Sequence, residues 1–196
     1  DKSEPKYMNT PETLTYSKRR ILYGMNLAKK SKRSNIILCE GNLDVVTLHQ
    51  AGFDNAVASM GTALTQEQLR LLSRYTKELV LCYDNDNAGQ QATRRALELL
   101  NNSEFSVKVL QLPRRLVDGE YIKQDADDFI KLQGPAAFER LLTGSENGVE
   151  FRLDQIAGKY DLTDDGQRIA YAQEVSEELA KLENAAGTSP SAAALR

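Results

Sequence analysis

Two acidic groups in this chain fall where an apolar run stops, Glu40 in Cys39-Glu40-Gly41-Asn42-Leu43-Asp44 and Asp84 with Asp86 in Tyr83-Asp84-Asn85-Asp86-Asn87-Ala88-Gly89, and a third, Asp125, Asp127 and Asp128, follows a later apolar run after an intervening loop. Carboxylates brought together repel and raise one another's pKa. A cation among them removes that repulsion. Oxygen donors without His or Cys select a hard ion, Mg2+ or Mn2+. Such an ion keeps several waters and is shared between carboxylates and substrate phosphates. Two such ions can stabilise the attacking and leaving oxygens of an in-line phosphoryl displacement. A D-x-D pair suits this role, because alternate residues of an extended segment can reach one site. Alone, D-x-D is also a common acidic turn or helix cap. Strand-E-G followed about forty residues later by strand-D-x-D-x-A-G is far more specific. Gly41 and Gly89 permit close backbone approach at the two turns. Asp44, four residues after Glu40, reads either as a support for the ligands or as an acid in the first turn of a helix.

The surrounding pattern supplies elements to position these groups. The continuous apolar run over 35–39 predicts a strand buried on both faces. A helix over 43–51 follows, closed by Gly52, then a strand over 55–59. Thr65-Gln66-Glu67-Gln68 has the form of a capping box and opens a helix carrying Leu69, Leu71 and Leu72. A strand over 78–83, a helix over 88–101 and a strand over 106–112 complete the alternation. Strands alternating with helices imply a parallel sheet with right-handed crossovers. Ligands of such sheets bind outside the carboxyl ends of the strands, so all three acidic groups can converge on one edge. Residues 1–13 read as irregular, broken by Pro5 and Pro11, and 15–30 as a helix. Beyond Pro113 an acidic loop leads into a short helix over 125–131. Pro135 opens another, 144–148 reads as a linker, and helices follow over 149–159 and 164–184. Ile169, Ala172, Val175, Leu179 and Leu182 recur at helical spacing and predict a packing face. The expected fold is α/β: an open, mostly parallel sheet flanked by helices, with a C-terminal helical subdomain. Its expected divisions are 1–34 as a lead-in segment and helix, 35–131 as the α/β domain, 132–184 as the helical subdomain and 185–196 as a flexible tail.

Composition limits the alternatives. The 196 residues are 41% hydrophobic and 27% charged, as in an ordinary soluble domain. No apolar run approaches the roughly 18 residues that suggest a membrane span, so no membrane partner is expected. The N-terminus has no apolar signal core and no initiator Met, which suggests a piece of a longer protein. Cys39 and Cys82 sit inside apolar runs and read as buried thiols. With the one His, His49, they cannot build a zinc site. The net charge of −3 is unlike that of a dedicated nucleic-acid binder. Nucleic acid would have to be reached through bridging metal ions, a neighbouring domain or local patches. Lys18, Arg19, Arg20, Lys29, Lys30, Lys32 and Arg33 form one such cluster, which reads equally as a solvated face.

At these residues the chain resembles the Toprim domain, shared by DnaG-type primases, topoisomerases of types IA and II, and some nucleases and recombination proteins. Glu40-Gly41 and Asp84-x-Asp86 match its two motifs. The wider text resembles bacterial DnaG-type primases. The stretch from Pro5 to Thr13, Tyr16-Ser17-Lys18, Leu22-Tyr23-Gly24, Glu40 to Val46, Ala56 to Leu64 and Asp125-Ala126-Asp127-Asp128-Phe129 each match a family element. Asn42, Asn85 and Ala126 depart from it, standing where the family usually has an aromatic, a small residue and Pro.

The resemblance implies synthesis of short RNA primers on a single-stranded DNA template from ribonucleoside triphosphates, in the cytoplasm at the replication fork and nucleoid. It implies Mg2+ or Mn2+ held by Asp84, Asp86 and Asp125 with Asp127 near them, and Glu40 as a ligand or as the acid/base group. Lys18, Asn9, Gly41, Asp44 and Gly89 would face nucleotide or nucleic acid. Zinc would belong to an N-terminal domain outside this chain, and contact with a replicative helicase to a C-terminal domain also outside it. The chain alone is then expected to bind metal and make little or no primer. The alternatives are another Toprim enzyme, a topoisomerase or nuclease, or a non-catalytic nucleic-acid-binding module. A topoisomerase needs a nucleophilic Tyr, and none of the eight tyrosines has a recognisable setting for one. A degenerate module would have lost carboxylates, and these are all present.

Overall fold

The computed structural model describes residues 12, 13, 16–101, 103–117 and 120–187. Asn9, most of the matched N-terminal stretch and the tail beyond 187 lie outside the described residues. Five strands form the main sheet: β1 (Asn35–Cys39), β2 (Ala56–Ala58), β3 (Glu78–Cys82), β4 (Ser106–Val109) and β7 (Glu146–Asn147), in the order β2-β1-β3-β4-β7. The first four run parallel, with Cys39 registered against Cys82, and β7 pairs antiparallel with β4. Between them lie α2 (Asn42–Gln50), α3 (Gln66–Leu72) and α4 (Asn87–Leu100).

The apolar runs behave as a strand's alternation requires, with successive side chains on opposite faces. Ile36 and Leu38 of β1 and Leu79 and Leu81 of β3 join one buried cluster with Leu69 and Leu72 of α3 and Leu97 and Leu100 of α4. Ile37 and Cys39, with Val80 and Cys82, join a second cluster with Val45 and Leu48 of α2. Both faces are covered, which is why these strands read as unbroken apolar runs. Two further helices close the second face: α5 (Ala126–Gln133), contributing Phe129, and α6 (Pro135–Thr143), contributing Phe138. Phe138 meets Phe53 edge-on at 4.8 Å between ring centroids, and Phe129 at 6.2 Å. Burying each ring contributes roughly 1.5–3 kcal/mol. Pro135 occupies the first turn of α6, as its fixed φ favours.

Several expectations are corrected. The helix expected over 15–30 is a turn over 18–20 followed by the four-residue α1 (Met25–Ala28). Tyr23 pairs its backbone with Ala58 at the sheet edge, at 2.9 and 3.1 Å, and Gly24 has φ 79°. A left-handed residue cannot sit inside a right-handed helix. The linker expected over 144–148 contains β7. The loop after β4 carries an unforeseen hairpin, β5 (Arg115–Val117) with β6 (Glu120–Ile122). Its strands are too short to show a period of two.

The C-terminal helices are α7 (Gly148–Ala157) and α8 (Asp165–Gly187). Phe151 of α7 enters the first core cluster. The stripe of α8 is only partly a packing face, because Ile169 is 62% exposed and Ala172 and Leu179 are also exposed, while Val175 and Leu182 are half-buried. Helical spacing shows that apolar residues share a face, and nothing local supplies the partner. Among the described residues no helix is long and apolar enough to cross a membrane.

Candidate metal and phosphoryl-transfer site

Glu40 and Asp84 leave the ends of adjacent, registered strands, so the two carboxylates meet at the carboxyl rim of the sheet. Glu40 accepts the backbone N–H of Asp84. Partial burial, then the charges of Asp84 and Asp86, push the Glu40 carboxyl above its ordinary range. Asp86 is the N-cap of α4, with Oδ1 accepting the Gly89 N–H at 2.9 Å. That bond, followed by the Lys123 ammonium, holds Asp86 below the usual carboxylate range. A cap occupies one oxygen only. Its other oxygen, Oδ2, meets Lys123 Nζ at 3.1 Å, and the same ammonium lies 3.1 Å from Asp84 Oδ2. Asp86 is therefore a helix cap as well as an ion-pair partner, and Asp84 shares the same ammonium.

Gly89 is required by this turn. A Cβ there would stand 2.0 Å from the Asp84 carbonyl oxygen and 3.0 Å from its nitrogen. Its close approach is to the chain's own backbone. At Gly41 a Cβ would meet Asp44 Oδ2 at 3.0 Å.

The third acidic group arrives from β6 and opens α5. Asp125 caps that helix through the Asp128 N–H at 2.8 Å. Ligand oxygens of Asp125, Asp127 and Asp128 all lie within 4.8 Å of one another. Asp127 is the most engaged of the three. Thr47 donates to one oxygen, Lys131 to the other, and its own N–H donates to Asp44 Oδ1 at 3.3 Å. Burial opposes ionisation of Asp127, yet the bonds from Lys131 and Thr47 hold it below its ordinary range.

Asp44 connects the groups. It is buried, accepts Gly41 N–H at 3.1 Å through Oδ2, and accepts Asp127 N–H through Oδ1. It is the first-turn acid of α2, and its second bond ties that turn to α5. Burial, then the charges of Asp125 and Asp84, raise its pKa to about 6. It thus feels the second and third acidic groups together.

Sequence reasoning missed several residues here. Lys123 precedes Asp125 by two positions, which on an extended segment is one same-side step. Asn85 replaces the family's small residue, and its Nδ2 donates to the Leu112 carbonyl at 3.0 Å, fastening the start of the hairpin to the D-x-D loop. Buried Gln68 donates to the carbonyls of Lys18 and Ile21, both at 2.9 Å, while Thr65 Oγ1 donates to that of Arg19. The capping box of α3 therefore fixes the basic turn that carries Lys18. Arg33, counted with the basic cluster, is held by both oxygens of Glu139 and lies 4.8 Å over Phe53.

The residues fit a hard divalent ion. All donors are oxygens, they come from three elements, and an ammonium already sits between two of them.

Residues 37–130 match a family model described as Toprim-like, and 149–186 match the DnaB-helicase binding domain of primase. The second match corrects the expectation that any helicase-related segment lies outside this chain. A DNA primase of Clostridium acetobutylicum is 39% identical over 184 residues, 93% of this chain and 30% of that protein. The chain thus spans less than a third of the curated relatives it matches. A DnaG primase catalytic domain bound to ssDNA is 32% identical, covers 88% of this chain and 55% of its own, and superposes with a TM-score of 0.71. An Aquifex aeolicus primase structure containing zinc-binding and RNA polymerase domains is 32% identical, covers 91% and 45%, and superposes at 0.69. The chain belongs to the bacterial DnaG-type DNA primase family and carries its Toprim portion.

Proposed function

We propose that this chain supplies the catalytic carboxylates of a DNA primase, which joins ribonucleoside triphosphates into short RNA primers on single-stranded DNA and releases pyrophosphate. The observation that carries this reading is that Glu40, Asp84 and Asp86 lie together at one sheet edge, with the Lys123 ammonium between the two aspartates, while buried Asp44 feels the charges of both Asp84 and Asp125. Phosphoryl transfer depends mainly on positioning and charge neutralisation, which suits this inventory. Asp84, Asp86 and Asp125 would hold Mg2+ or Mn2+, with Asp127 beside them and Glu40 as a further ligand or as the acid/base group. Held there, such an ion would supply neutralisation of triphosphate charge and polarisation of the reacting oxygens. Asp44 orients the two turns around it. Lys18 serves as a basic contact to nucleotide or nucleic-acid phosphate, the role the family resemblance also gives Asn9.

In this reading 35–131 is the catalytic α/β domain, 1–34 leads into it, 132–184 is the helical part and 185–196 a tail. Zinc belongs to a separate domain, as in the Aquifex protein. The helicase is met through 149–186, on α7 and α8, and the protein works in the cytoplasm at the replication fork. Template grip lies outside this acidic chain, so alone it binds cation and makes little primer.

The test uses the full-length protein. Asp84→Ala and Asp86→Ala should each abolish primer synthesis on single-stranded template, and Mn2+-soaked crystals should show anomalous density between Glu40, Asp84, Asp86 and Asp125. Synthesis that persists in either variant overturns the assignment.

A further inference from the structure

The hairpin is fastened to the D-x-D loop at both ends. It leaves from Leu112, whose carbonyl accepts from Asn85, and returns at Lys123, whose ammonium lies 3.1 Å from both Asp84 and Asp86. One positive charge lies equidistant from the two carboxylates that the proposed function assigns to the divalent ion. Mg2+ needs oxygens at about 2.0–2.1 Å, so ammonium and ion cannot share the position. The two sides of the pair differ in exposure. The Lys123 side chain is 57% exposed, while those of Asp84 and Asp86 are 19% and 36% exposed. A lysine is a point charge on a flexible four-carbon stem. It can swing into solvent while the Asn85 bond keeps the hairpin in place. An ordinary surface pair would have no such two-carboxylate geometry on the residues that the cation uses.

We propose that Lys123 is a tethered counter-ion that occupies the divalent cation's place between Asp84 and Asp86 and leaves it when the cation enters, so that this lysine sets the affinity of the site. The proposal rests on the metal reading above and adds a competitor to it. In the cation-free protein Lys123 relieves the repulsion of the pair. In the loaded protein its ammonium is released into solvent.

Mn2+ binding to the full-length protein, followed by loss of the free-ion EPR signal, tests this in four proteins: the parent, Lys123→Met, Lys123→Arg and Asp84→Asn. Lys123→Met keeps the stem and removes the charge, and should tighten Mn2+ binding about three- to tenfold, since exposed ion pairs are weak competitors. Lys123→Arg keeps the charge and should bind no tighter than the parent. Thermal unfolding should show the Met variant less stable than the parent without cation and equal to it with saturating Mn2+. Equal or weaker Mn2+ binding by Lys123→Met overturns the proposal and leaves the metal reading standing. Tightening by Lys123→Arg to the same degree also overturns it, because charge would then be irrelevant. Mn2+ binding that is undetectable in the parent, or unchanged in Asp84→Asn, overturns the metal reading and the proposal together.

Discussion

Lys123 at the rim of the sheet and Arg152 in the C-terminal helices both hold carboxylates at similar range, 3.1 Å for Lys123 and 2.9 Å for Arg152 with Glu178. Their surroundings differ. Lys123 is mostly in water. Arg152 and Glu178 are only 12% and 18% exposed, and the second guanidinium nitrogen of Arg152 donates to Asn101 at the end of α4. A planar fork with fixed donors bridges three helices there, whereas a single ammonium on a loose stem bridges one loop. The contrast teaches that distance does not tell an exchangeable charge pair from a permanent one. Exposure does, because an exposed cation loses little hydration on pairing and gains little by staying, while a buried one leaves its partner stranded if it goes.

The largest stability effect is therefore expected at the buried pair. Arg152→Ala should lower the unfolding free energy by about 2–3 kcal/mol in urea titration, somewhat below the range for a fully buried pair. A loss below about 1 kcal/mol would put Arg152 in the same class as exposed pairs and erase the distinction. Next comes Gly89→Ala, which forces a Cβ onto the Asp84 carbonyl. It should cost roughly 1–3 kcal/mol of stability, as overpacking does, and weaken Mn2+ binding by displacing Asp84. Unchanged cation affinity in a folded Gly89→Ala protein would show that the rim tolerates movement of its ligands.

The smallest effect is graded with pH. Asp44 titrates at about 6, and Glu40 is also raised. Protons on these groups remove negative charge from the cradle. Mn2+ affinity measured by calorimetry should fall as pH drops through about 6, above the ordinary carboxylate range. In the cation-free protein the sign for folding is opposite. Folded Asp44 keeps its proton to about pH 6 and the unfolded residue releases it near 3.8. Its contribution to stability is thus fullest below that lower value and is lost as pH rises through 6. Cation affinity that stays flat from pH 5 to 7.5 would remove Asp44 and Glu40 from the electrostatics of the site.

Much of the site was legible because its signals are local. Glu40 and Asp84 follow double-faced apolar runs, and the caps at Thr65, Asp86 and Asp125 close over three residues. Asp44 was left open between two roles because its second partner, Asp127, lies 83 residues away. Lys123 is silent in the sequence for the same reason, at 39 residues from Asp84. The helix expected over 15–30 failed where the Tyr23 backbone found Ala58 across the sheet edge.

From the sequence by itself came the alternation of strands and helices, the edge on which the acids gather and the hardness of the ion they suit. These rest on periodicity, capping and donor type, which act within a few residues. Tertiary structure alone decided which cation stands between Asp84 and Asp86, which carboxylate serves as brace, and how much of the apolar stripe on α8 stays uncovered. Those outcomes depend on residues far apart in the chain arriving within a few ångströms of each other, and local spacing does not encode that distance.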